Sequence, residues 1–294
     1  MLYQKLNCYF SSNNQQALYS IFKGYFPIFK FSINNEILTI AEILLLCLIF
    51  SACADNSPNN PKDPDGSELS FEVVRSFPHD TLAFTQGLLV HNGFFYESTG
   101  KYGFSSLRKV QINTGEVLQK HDLAPGIFAE GLAFANEKFI QLSWRSQTGF
   151  VYQEDNFAVL STFQYNREGW GLTFDGQDLI MSDGSDSLFY WDSESFSEKR
   201  AVAITSSGEP VFRLNELEYI NGQIWANIWK SDSIAIINPD EGTVVSWLNL
   251  QGILSENEST FSADVLNGIA WDAVNNAIFV TGKYWPKVYQ ITIF

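Results

Sequence analysis

The chain has 294 residues, is 45% hydrophobic and 17% charged, and carries a formal net charge of −15. That length and apolar share suffice for a large core and exclude a disordered chain. The acidic balance argues against a nucleic-acid partner, whose phosphates need clustered Lys and Arg, and is otherwise a solubility feature.

The first element in chain order is "ILTIAEILLLCLIFSAC", Ile37 to Cys53. Its apolar core is too short to span a bilayer comfortably, and it ends in the small residues Ser51 and Ala52 before Cys53. It resembles a bacterial lipoprotein signal, in which Cys53 would be lipidated and become the mature N-terminus. The expectation is an exported protein of the periplasm or cell envelope of a bacterium, touching the membrane only through that anchor. Phe50 and Glu42 depart from the usual pattern, and an ordinary signal peptide cut nearby is the alternative. Residues 1–52 are read as the signal or leader region. The following stretch, rich in Pro, Asn and Asp, has nothing to bury and reads as a flexible tether over residues 53–67.

The three cysteines, Cys8, Cys47 and Cys53, all precede the remaining body, residues 68–294. No disulfide framework or cysteine metal cluster is available there. His79, His91 and His121 form no His-x-His or His-Glu-x-x-His pair, and no Gly-x-Ser-x-Gly elbow occurs. A zinc site or a Ser-His-Asp triad is therefore poorly supplied.

From Glu68 onward the chain repeats itself. "QGLLVHNGFFYEST" starts at Gln86, "EGLAFANEKFIQLSW" at Glu130, "WGLTFDGQDLIMSDG" at Trp170, "NELEYINGQIWANIW" at Asn215 and "NGIAWDAVNNAIFVTGK" at Asn267. Each places an apolar residue two positions after its first residue, then a turn, then a second alternating strand. The period, roughly 40 to 50 residues, fits a four-stranded propeller blade. Thr114-Gly115 and Glu241-Gly242 stand where hairpin turns belong in the strand pairs between these runs. No helical period is sustained. The expectation is an all-β, five-bladed β-propeller.

In such a fold the innermost strand of each blade lines the central channel, and a glycine after the channel residue lets neighbouring blades come close. Gln86, Glu130, Trp170, Asn215 and Asn267 then occupy matching places at one mouth. Five unlike residues point to a pocket with specific demands, with a solvated channel mouth as the alternative. The second strands end at Ser98 and Thr99, Trp144, Asp183, Trp229 and Lys283, so Trp144 and Trp229 fit as walls of an aromatic box at the same mouth.

The stretches "FPHDTLAFTQGL", "GIFAEGLAF", "REGWGLTFDGQDLIMSDGS", "LNELEYINGQIWANIW" and "LNGIAWD" with "VTGKYWPKVYQI" resemble the plant and bacterial type of glutaminyl-peptide cyclotransferase. The resemblance runs from about Phe71 to Phe294, with long motifs in order. It implies a five-bladed propeller enzyme that turns an N-terminal glutamine into pyroglutamate and releases ammonia, with no metal and no cofactor. It places the catalytic glutamate on Glu130 and its polar and cationic partners on Asn215 and Lys283. The substrate-binding residues fall on Phe84 and Gln86 of "FTQG", and on the aromatic walls Phe128, Trp144, Trp170 and Trp229. The implied partners are peptides or proteins beginning with glutamine, and the expected state is a monomer.

The chemistry needs these residue types. A carboxylate can take the proton from the attacking amine and give it to the departing nitrogen. The oxyanion formed on the amide oxygen needs fixed donors, which Lys283, Asn215 and Gln86 can supply. Aromatic walls fold the flexible side chain into its cyclic form. Two other readings compete. Glu130, Asn215, Asn267 and Asp183 are all oxygen ligands that could hold calcium in a lactonase-like hydrolase, although Lys283 would repel the ion. Trp144, Trp170 and Trp229 would also suit a non-catalytic propeller that binds peptides or sugars.

Overall fold

The computed structural model describes residues 66–294. The leader, Cys53 and the tether as far as Asp65 lie outside the described residues. β1 (Ser67–Leu69) and β2 (Phe71–Pro78) open the described chain. β3 (Thr85–His91), β4 (Phe94–Thr99), β5 (Ser106–Val110) and β6 (Val117–Asp122) form a first antiparallel sheet in that order. β7 (Ala129–Ala135), β8 (Lys138–Ser143), β9 (Thr148–Gln153) and β10 (Val159–Gln164) form a second. The third holds β11 (Leu172–Phe174), β12 (Asp178–Ser182), β13 (Ser187–Asp192) and β14 (Glu198–Ala203).

A short hairpin, β15 (Thr205–Ser206) and β16 (Glu209–Pro210), extends the fourth sheet of β17 (Leu214–Ile220), β18 (Gln223–Ile228), β19 (Ser233–Asn238) and β20 (Thr243–Asn249). β1 also runs parallel to β20. The fifth sheet joins β21 (Leu266–Asp272), β22 (Ala277–Gly282) and β23 (Lys287–Ile293) to β2 from the other end of the described chain. That exchange pairs Phe77 with Val288 and covers the edge that β23 would otherwise expose.

Local sequence accounts for the hairpins. Asn92-Gly93 and Asn221-Gly222 join the first two strands of their sheets, and all four residues have positive φ, between 49° and 86°. Asn and Gly adopt that conformation most readily, and it matches the strand twist. The turns at Thr114-Gly115 and Glu241-Gly242 lie between β5 and β6 and between β19 and β20. Gly115 N–H donates to Gln111 O at 2.8 Å and Gly242 N–H to Asn238 O at 2.9 Å.

The core is divided into five parts, each between two consecutive sheets. Leu89 and Tyr96 meet Leu132 and Tyr152 between the first and second sheets. Ile140 and Leu142 meet Leu179 and Trp191 between the second and third. Ile180 and Tyr190 meet Leu217 and Ala226, and Trp225 and Ile236 meet Ile269 and Val280. Phe279 and Val288 meet Leu88 and Phe95, which returns from the last sheet to the first. The architecture is all-β and propeller-like. Inner and middle strands are therefore buried on both faces, as in β12, whereas the outermost strands β6, β10 and β14 are largely exposed.

Two features of the inner strands place the first residues of the repeats. Register shifts interrupt the pairing between Thr85 and Gly87, Ala129 and Leu132, Leu214 and Leu217, and Leu266 and Ile269. These bulges contain Gln86, Glu130, Asn215 and Asn267, and a bulge re-aims the side chain it carries. Close approach is the second feature. A Cβ at Gly87 would lie 2.6 Å from the Leu132 nitrogen, and one at Gly171 would collide with the Asn215 carbonyl oxygen. In the fourth sheet Glu216 stands where the others have glycine. Its two carboxyl oxygens accept from Leu88 N–H at 3.2 Å and Ile269 N–H at 2.8 Å, bridging the fifth and first sheets.

Candidate active site

Glu130 is the buried acid of the site. It is 5% exposed, and its Oε2 accepts from Gln86 Nε2 at 2.6 Å. Its backbone carbonyl accepts from Ser98 Oγ, which in turn accepts from Gln141 Nε2 at 2.7 Å. Tyr152 OH donates to the far end of Gln141 at 2.8 Å, so a buried chain of hydrogen bonds fixes the Glu130 backbone. Burial pushes the Glu130 pKa well above the usual carboxylate value. The Lys283 charge and the Gln86 hydrogen bond pull it back, and the Glu168 charge adds to the rise.

Lys283 follows β22 and is buried. Burial lowers its pKa, Glu130 and Asp264 oppose that, and Lys101 reinforces it. Its Nζ lies 4.7 Å from the centre of the Phe84 ring, whose other neighbours include the Lys101 ammonium at 3.9 Å. Asn267 Nδ2 donates to Thr85 O at 2.9 Å and approaches Gln86 Oε1 at 3.4 Å, so it supports the residue that supports Glu130. Asn215 is buried beside the third sheet, and its carbonyl accepts from Ser182 Oγ at 2.6 Å.

The aromatic residues form two connected groups. Phe84 meets Phe128 edge-on at 6.0 Å, and Phe128 meets Trp144 at 5.6 Å. Trp170 and Trp229 stand at 82° with centroids 5.6 Å apart. Gly184 makes room for the Trp170 indole. Gly184 has a φ of +82°, and a Cβ there would lie 2.7 Å from the indole ring. Asp183 of the second ring turns elsewhere: it accepts from Ser185 N–H at 3.0 Å and lies 3.7 Å from Arg167.

Several neighbours of the site carry no signal in the sequence. Tyr284 packs on Phe84 at 5.1 Å and Tyr102 on Phe128 at 5.4 Å. Glu168 accepts from both Trp144 and Trp170, at 2.7 and 3.2 Å. Among the described residues no three His, Cys, Asp or Glu side chains converge as metal ligands. The arrangement offers one acid with a raised pKa, amide and ammonium donors around it, and aromatic walls. Chemically, that is a site for moving a proton beside a developing oxyanion.

Comparison with known proteins agrees with that description. The chain is 44% identical over 230 residues to a glutaminyl-peptide cyclotransferase of Arabidopsis thaliana, covering 76% of this chain and 71% of that protein. It is also similar to the crystal structure of Myxococcus xanthus glutaminyl cyclase, with a TM-score of 0.73 and 35% identity over 78% of this chain and 98% of the other. The family model for glutamine cyclotransferase matches residues 44–293. With most of its length matched, and with relatives of that identity, the chain belongs to the glutamine cyclotransferase family.

Proposed function

We infer that this protein is a glutaminyl-peptide cyclotransferase, closing the N-terminal glutamine of a peptide or protein into pyroglutamate and releasing ammonia. The observation that carries the reading is a buried glutamate of raised pKa, bonded to an amide and facing a lysine, inside a family of this activity. The neutral α-amine attacks the side-chain amide carbon and forms the ring C–N bond. Glu130 takes a proton from the attacking nitrogen and delivers it to the departing one, so that the C–N bond to the leaving group breaks and ammonia leaves. A raised pKa suits a group that must both take and return a proton.

The oxyanion that forms on the side-chain amide oxygen faces donors from Lys283, Asn215 and Gln86. Phe84, Phe128, Trp144, Trp170 and Trp229 hold the folded glutamine side chain, which makes ring closure a matter of orientation. Only a free N-terminal amine can attack, so the rest of the peptide points out of the mouth. The five sheets and their closed series of five cores support a five-bladed ring, residues 68–294 acting as one catalytic body. A buried acid beside an amide and an ammonium also supports catalysis without a metal, so activity should survive EDTA. Loss with EDTA and recovery with calcium would favour the hydrolase reading instead.

Cys53 is proposed as a lipid anchor at the cell envelope. Wild type should partition into detergent and Cys53→Ala should not. The enzyme reading is tested directly by incubating the purified protein with a peptide that starts with glutamine and following ammonia release.

A further inference from the structure

We propose that Glu168 is a positioning residue of the site: one carboxylate oxygen, shared by the indole N–H groups of Trp144 and Trp170, sets the angle between the aromatic walls that fold the substrate. The inference rests on the cyclotransferase reading. Glu168 lies in the loop between β10 and β11, two residues before Trp170, whereas Trp144 follows β8 in the neighbouring sheet. Its Oε2 accepts from Trp144 Nε1 at 2.7 Å and from Trp170 Nε1 at 3.2 Å. Its Oε1 accepts from Arg145 Nε at 3.0 Å, and that guanidinium lies over the Trp144 ring at 3.8 Å.

The backbone is tied at the same place. Gly169 N–H donates to Trp144 O at 3.1 Å, and a Cβ at Gly169 would lie 2.8 Å from Ser143 O, so the loop is held against the second sheet. Trp144 touches Phe128 and Trp170 touches Trp229, so one carboxylate joins the two aromatic groups. An indole N–H offers a single donor, and a shared ionised acceptor fixes both rings in a way that packing alone does not. Partial burial works against the charge, but the two indoles and Arg145 outweigh it and hold the pKa below the ordinary value. The charge is also felt at Glu130, whose pKa it raises.

The test compares Glu168→Ala and Glu168→Gln with wild type on a peptide starting with glutamine. Glu168→Ala should lower kcat/KM by about 10- to 100-fold, mostly through kcat, the size expected for misplaced orienting groups. Glu168→Gln keeps an acceptor oxygen for both indoles and should restore most of that loss. It removes the charge, so the acid limb of its kcat/KM profile should move to lower pH as the Glu130 pKa falls. In ¹⁵N spectra the indole N–H signals of Trp144 and Trp170 should move in Glu168→Ala.

Unmoved indole signals, or a Glu168→Ala variant as active as wild type, would overturn the positioning role alone. Should Glu168→Ala not fold, Glu168→Gln decides through the same spectra: exchanging an ionised acceptor for a neutral one should move both indole signals, and signals identical to wild type overturn the role. Wild type that leaves the peptide unchanged overturns the cyclotransferase reading, and the positioning role falls with it.

Discussion

Glu130 sits where two opposing terms meet: burial that favours its neutral form, and Lys283 and Gln86, which favour the charged one. Burial wins, which suits a group that must accept and return a proton in one turnover. Glu130→Gln keeps the size and most of the polarity but cannot carry the proton. It should lower kcat by about 10²–10⁴-fold with KM little changed, because the walls still bind. A kcat within a few-fold of wild type at saturating peptide would remove Glu130 from the proton path. Lys283→Met tests the partner. It deletes the charge that lowers the Glu130 pKa and an oxyanion donor, so kcat should fall and the acid limb of kcat/KM should move to higher pH. An unmoved limb would show that the two groups are not coupled.

At the scale of strands, the bulges and close approaches decide what reaches the mouth. Gly171→Ala would press a methyl into the Asn215 carbonyl. It should lower stability by about 1–3 kcal/mol, the usual cost of overpacking, and reduce turnover because Trp170 and Asn215 both move. An unchanged urea midpoint would contradict that. The inner strands were legible in the sequence because each repeat places a buried apolar residue two positions after its first, at Leu88, Leu132, Leu172, Leu217 and Ile269. That spacing alone marks the inner strand of each repeat. The bulges were not legible, since one extra residue in a short strand leaves no compositional trace. Glu216 stands in the sequence where the other repeats have glycine, but only the assembled sheets show what its carboxyl bridges. Glu168 was missed for a related reason: nothing local ties a loop glutamate to Trp144 in another sheet.

For the whole molecule, several buried groups hold protons more tightly when folded. Glu216 and Glu130 are pushed well above the usual carboxylate range by burial, and Glu218 to about 8 for the same reason. Burial opposes the charge on His79, but Glu97, 2.9 Å away, outweighs it and raises that pKa too. Groups with raised folded pKa values stabilise the fold at low pH and lose that contribution as pH rises. Stability should therefore fall from about pH 5 toward pH 8, and Glu218→Gln should flatten the fall by about 1.4 kcal/mol per pH unit within that window. A urea midpoint that rises over this range would reverse the sign. Ring closure is read directly from the mass of a peptide beginning with glutamine, before and after incubation with wild type and with Glu130→Gln. Wild type should remove about 17 Da, the ammonia released by ring closure, and the variant almost none over the same time. No loss with wild type, or an equal loss with both, would contradict it.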